Sequence, residues 1–191
     1  MVCPFCYLVA PELARLARER EAELQVVWRA FELSPEPAPP LDDRREHLAI
    51  LWERALVPLA RERGLHPRFP AAHPRSRLAH EAIAEAREQG QPNELPLFLS
   101  RAFFEEGADI GQAGVILDIG RQAGLDPGRL EQALTDRRHW AAVAADQRLS
   151  RDLGLTGVPV ILRRREGEAW HAARAVSGAQ PDSVIRALLD G

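Results

Sequence analysis

The feature that most limits what this chain can fold into is the run Met1-Val2-Cys3-Pro4-Phe5-Cys6-Tyr7, which holds the only two cysteines, two residues apart, at the mouth of a helical pattern. Apolar residues recur at helical spacing through Cys6, Val9, Ala10, Leu13, Leu16 and Ala17, which predicts a helix from Cys3 to about Arg20. Thiols so placed on a first helical turn can close a disulfide with little backbone movement, and the free N–H groups and dipole there favour a thiolate. Cys3, taken as the exposed sulfur, is the expected nucleophile and Cys6 the resolving thiol. Each unit by which the pKa of Cys3 falls is worth about 1.4 kcal/mol of preference for the thiolate. Pro4 is tolerated because the first helical N–H groups need no partner, and Phe5 offers an apolar surface beside the sulfur. Both are expected to meet the substrate.

Two plainer readings of the pair stand beside this one. A zinc site needs four ligands, and His47, His66, His73, His80, His139 and His171 show no paired spacing of the Cys/His kind, so no metal ligand set is expected. An inert bridge or two idle thiols is the other reading. No secretory leader precedes the pair, and reducing compartments rarely keep structural bridges, so a cytoplasmic redox pair is expected instead.

Pro11 lies inside the first helix and should bend it, freeing the carbonyl of Tyr7. Residues 24–31 (Leu-Gln-Val-Val-Trp-Arg-Ala-Phe) read as a strand. Prolines at 37, 39 and 40 break regular structure and lead into helical sequence. Asp42 is expected to cap a helix that runs to Arg63 and stops at Gly64, with Pro58 kinking or splitting it. Further helices are predicted over 76–89, 94–106, 112–123, 127–135 with Asp126 as cap, and 138–153. Phe98, Phe103 and Phe104 are most economically core, with a peptide groove as the alternative. Thr156-Gly157-Val158-Pro159-Val160-Ile161-Leu162 is a strand entered through a proline, and its Gly-x-Pro turn suits a cis bond. Glu166-Gly167-Glu168 turns the chain, 170–176 returns antiparallel, and Pro181 starts a last helix with Val184, Ile185, Leu188 and Leu189 on its inner face.

With 191 residues and 46% hydrophobic content, the chain can core one domain, or one domain with a sizeable insertion. No stretch approaches the about 20 consecutive apolar residues of a membrane span. A net charge of -3 gives no general pull toward nucleic acid. The run Arg163-Arg164-Arg165 is read as a charged, solvated strand end rather than an anion-docking patch.

Helix, strand, helical block, proline-entered strand, antiparallel strand and helix is the order of a thioredoxin fold with an inserted helical domain. Several motifs narrow the likeness: Cys3-Pro4-Phe5-Cys6-Tyr7-Leu8, Trp28-Arg29-Ala30-Phe31-Glu32-Leu33-Ser34-Pro35, Ala79-His80, Leu97-Phe98, Ala102-Phe103-Phe104 with Gly107, Gly124-Leu125-Asp126, Gly157-Val158-Pro159 and Ser177-Gly178-Ala179-Gln180-Pro181. In that order they resemble the FrnE-like branch of the DsbA family. The resemblance implies an α/β, thioredoxin-like fold divided as 1–36, a helical insertion over 37–150, and 151–191. It implies a cytoplasmic thiol-disulfide oxidoreductase with Cys3 attacking, Cys6 resolving, and Val158 with cis Pro159 aligning the substrate. Its partners would be thiol or disulfide substrates, protein or small molecule, with no nucleic acid or membrane partner. No cofactor is expected beyond the redox-active pair. A related alternative is a glutathione-dependent isomerase or transferase of the kappa-class and hydroxychromene-carboxylate isomerase type, with glutathione as co-substrate; such relatives usually carry serine at the nucleophile position. A non-catalytic thiol-based metal-binding protein is the third reading. The resemblance also calls for a central strand before the cysteine helix, where only Met1 and Val2 stand, so the sequence is read as an N-terminally truncated version of a longer protein.

Overall fold

The cysteine pair does open a helix. In the computed structural model, which describes residues 1–39 and 45–190, α1 spans Pro4–Glu19 with Pro4 in its first turn and Cys3 as the extended residue before it. Pro11 sits within α1, and the carbonyl of Leu8, beside the bend expected there, accepts a hydrogen bond from Arg63 Nη1 at 2.9 Å.

Residues 24–31 do not form the strand that their composition predicts. Their burial alternates along an extended backbone, from half-buried Leu24, Val26 and Trp28 to exposed Gln25, Val27 and Arg29, yet among the described residues no ladder pairs them. A strand exists only with a neighbour, and here the polar groups turn to side chains: Ala30 N–H donates to Asp146 Oδ2 at 2.9 Å, and Trp28 Nε1 to Asn93 Oδ1 at 3.0 Å.

The helical block follows. Asp42, expected as a cap, lies outside the described residues. Helix α2 (Arg45–Leu51) passes through a π-helical turn at Trp52–Leu56 into α3 (Val57–Glu62). Around Pro58 the predicted helix is divided into α2 and α3 by this turn, with Pro58 in the first turn of α3. The wider turn just before it, closed by Val57 N–H on the carbonyl of Trp52, absorbs the missing donor. Then come α4 (Arg77–Glu88) and α5 (Glu94–Arg101), the latter leading into a second π-helical turn at Ala102–Glu106 that ends on left-handed Gly107. Helices α6 (Ala113–Gln122), α7 (Pro127–Thr135) and α8 (Trp140–Asp152) complete the block, with Asp126 capping α7 by accepting from Arg129 N–H.

The second π turn delivers Phe103 and Phe104 into the core. Their rings lie 4.7 Å apart, and Phe104 meets Tyr7 at 5.2 Å and Trp52 at 6.0 Å, so the phenylalanines are packing residues, each such pair worth about 0.5–1.5 kcal/mol beyond its buried area. Val2, Tyr7 and Leu8 share this core with the helical block, which keys the cysteine helix to it. The other side of α1 buries Val9 and Leu16 against Ile185 of α9 (Asp182–Asp190), with Leu24 and Ile161 packed alongside.

Strand β1 (Val160–Arg163) pairs antiparallel with β2 (Arg174–Ser177), Val160 opposite Ser177 and Arg163 opposite Arg174. The return strand is shorter than predicted because Trp170–Ala172 winds into a 3-10 turn. There the Arg164 guanidinium lies 4.3 Å from the Trp170 ring centre and donates to the Glu168 carbonyl, so the arginine run finishes a hairpin end.

Candidate active site

The extended backbone of Cys3 lets its carbonyl receive Cys6 N–H at 3.1 Å and Tyr7 N–H at 3.2 Å, the first bonds of α1. Its side chain reaches across the fold. Cys3 Sγ donates to the carbonyl of Val158 at 3.3 Å, 155 residues along the chain. The Val158–Pro159 peptide is cis, and the Pro159 carbonyl accepts Gly178 N–H at 2.9 Å, tying this loop to the end of β2. Cys3 thus meets the loop of Val158 and Pro159, with Cys6 in the first turn of α1. Pro4 and Phe5 are half-buried, and Phe5 leans against the main core.

Cys3 is only 5% exposed and Cys6 is half-buried, so the sulfur expected to face solvent is covered. The cover is the Val158 loop, a contact no local spacing could announce. Both cysteines are free thiols.

The electrostatics still separate the two sulfurs. The Cys6 thiol, hydrogen-bonding to Cys3, brings the Cys3 pKa down to about 7; burial opposes this, and the backbone N–H groups of Cys6 and Phe5 add to it. The same hydrogen bond, with burial, pushes Cys6 well up. One sulfur ionises near neutrality and the other holds the proton, which is the division of labour that disulfide exchange needs.

Residues around the pair also include some that the sequence reading did not single out. Tyr7 Oη donates to Glu105 Oε1 at 2.8 Å, and burial followed by that carboxylate raises the tyrosine well above its ordinary value. Arg63 binds backbone carbonyls on both sides of the site. His80, buried on α4, is held neutral by burial, and its Nε2 has no hydrogen-bond partner. A cavity of about 230 Å3 lies between the extended segment and α4 and α8, bounded by Trp28, Ala30, His80, Ile83, Val143 and Asp146, and reaches Met1. Arg63 and Glu105 carry no motif, and only their neighbours in space give them meaning.

Among the described residues one group has the spacing of metal ligands: Glu85, Glu88 and His139. Glu85 is fully buried and already holds His139 Nε2 at 2.8 Å, with Arg129 at 3.4 Å and Arg138 at 3.5 Å. Two guanidinium groups on the central carboxylate make it an ion-pair network joining α4 to the α7–α8 corner.

Residues 1–189 match the DSBA-like thioredoxin domain. The chain belongs to this family. A probable DsbA oxidoreductase from Streptomyces coelicolor superposes with a TM-score of 0.78 at 27% identity, covering 98% of this chain and 84% of that one. The cytosolic disulfide reductase DsbM of Pseudomonas aeruginosa superposes with a TM-score of 0.74 at 21% identity, covering 97% and 92%, and has also been solved with glutathione. The protein YwbO of Bacillus subtilis is 29% identical over 141 residues, 72% of this chain and 70% of that protein. Family and fold together assign a DsbA-like, thioredoxin-fold chain of the oxidoreductase group. Among the described residues no helix is long and apolar enough to cross a membrane.

Proposed function

We propose that the chain is a thiol-disulfide oxidoreductase working through Cys3 and Cys6 in the cytoplasm. The single observation that carries this reading is the placement of the cysteine pair at the start of α1 with Cys3 Sγ 3.3 Å from the Val158 carbonyl of the cis-proline loop. The Cys3 thiolate attacks one sulfur of a substrate disulfide, forming a mixed disulfide and expelling the other sulfur as a thiolate that takes up a proton. Cys6 then loses its proton and attacks Cys3, closing the intramolecular disulfide and expelling the second substrate thiolate. Two electrons pass from the dithiol to the substrate; run backwards, the same steps oxidise a substrate dithiol. Val158 and Pro159 flank the attacking sulfur and align the incoming chain, while Pro4 and Phe5 shape the approach.

The cover over Cys3 favours slender substrates, a small disulfide or an extended peptide, over a folded surface. Glutathione in the DsbM crystal is consistent with a small thiol as substrate or recycling partner. The isomerase reading has a structural neighbour, a 2-hydroxychromene-2-carboxylate isomerase at 17% identity, but here both cysteines stand where one nucleophile would serve.

The test is trapping. A Cys6→Ser variant incubated with glutathione disulfide or a disulfide peptide should accumulate a mixed disulfide at Cys3 by mass spectrometry, and Cys3→Ser should not. Equal labelling of both variants, or none, would sink the reading.

A further inference from the structure

We propose that Arg63 is a positioning residue that sets the distance between the cysteine helix and the loop facing it, an inference that rests on the oxidoreductase reading. Arg63 follows α3 in the helical block and has no sequence motif of its own, yet its guanidinium reaches both walls of the site. Nη1 donates to the carbonyl of Leu8 at 2.9 Å, two residues past Cys6. Nη2 donates to the carbonyls of Ala179 at 2.7 Å and Gln180 at 3.1 Å. These two residues directly follow Gly178, whose N–H holds the carbonyl of Pro159 at 2.9 Å. The circuit closes on the sulfur: Arg63 to Leu8 and up α1 to Cys3 on one side, and Arg63 to 179–180, Gly178, Pro159 and Val158 on the other, with Cys3 Sγ bonded to the Val158 carbonyl at 3.3 Å.

The chemistry suits the residue. A planar fork with donors on two separate nitrogens can serve carbonyls on two different segments at once, whereas an ammonium is a single point. All three acceptors are main-chain carbonyls: Leu8 lies within α1 three residues before Pro11, and Ala179 and Gln180 lie between β2 and α9. The two walls of the cleft are thus held through the helical block, which lies between them in sequence.

Removing the fork should leave the sulfurs intact and loosen their alignment with the loop. In Arg63→Ala, exchange with a disulfide-linked peptide, which must lie along the Val158 loop, should slow about tenfold, since small misplacements of reacting groups carry penalties of that order or more. Reaction of Cys3 with a small aromatic disulfide, compared at equal thiolate fraction from ultraviolet thiolate absorbance, should stay within about twofold or rise, because that reagent needs only the sulfur. Arg63→Lys should recover thermal stability better than the peptide rate. If Arg63→Ala fails to fold, the same two-substrate comparison is read from Arg63→Lys, where the peptide reaction should slow selectively. A parallel change in both reactions, or no change in either, overturns the proposal. A wild-type protein that exchanges with neither disulfide defeats the oxidoreductase reading itself.

Discussion

A thiol that ionises near neutrality changes its reactivity steeply over a narrow pH range. With the Cys3 pKa at about 7, its alkylation rate in the reduced protein should climb through that pH and level off above it, while Cys6 lags to far higher pH. In Cys6→Ala the hydrogen bond that most favours the thiolate is gone, so the midpoint should move up toward the ordinary thiol range; an unmoved midpoint would show that Cys6 is not the cause. The sign for stability follows. Because the folded pKa lies below the unfolded one, the thiolate contributes stability at pH above the ordinary thiol value, and this is lost as pH falls through about 7. Denaturant titrations of the reduced protein should show that slope between neutrality and the thiol range, and Cys3→Ser should lack it. The pairing of Cys3 with Cys6 was legible because it is local, set by helix spacing alone. The approach of Val158 to Cys3 has no local signal, since its position is decided by the whole intervening chain, and only the likeness of Gly157-Val158-Pro159 to the family's facing loop announced it.

Helix ends were readable where one side chain or one backbone angle decides them. Asp126 caps α7 and Gly107 takes a φ of 76° after the second π turn, as their residue types suggested. Asp126→Ala should cost about 1 kcal/mol in denaturant unfolding, the usual loss for a cap. Gly120 makes a different point: a Cβ there would lie 2.4 Å from Leu130 Cδ2, so Gly120→Ala should destabilise the α6–α7 contact by about 1–3 kcal/mol despite the better helix propensity of alanine. The two π turns were invisible in the sequence, because apolar spacing survives one wider turn. The extended run at 24–31 was misread for the opposite reason. Its β-branched and aromatic residues describe how its side chains are buried, and composition says nothing of whether a second backbone lies alongside.

Across the whole molecule, buried charge adds a pH dependence far from the sulfurs. Burial works against the Glu85 carboxylate, but His139, Gln89 and Arg129 together hold it below the usual range. A depressed carboxylate contributes stability that is present above its unfolded pKa and lost as pH falls through the folded one, so acid should weaken the α4–α8 contact. Glu85→Gln should cost about 2–3 kcal/mol at neutral pH, leaving two arginines without their charge partner, and should flatten the acid limb of the stability curve. A stability curve of unchanged shape would count against the network. The run from Gln25 to Leu33 has a further consequence. It is anchored by the Trp28 indole and by the Ala30 backbone N–H, but peptide groups with no ladder give up their amide protons to solvent readily. Deuterium labelling should find a quick stretch inside a slow protein, with the Ala30 amide retarded.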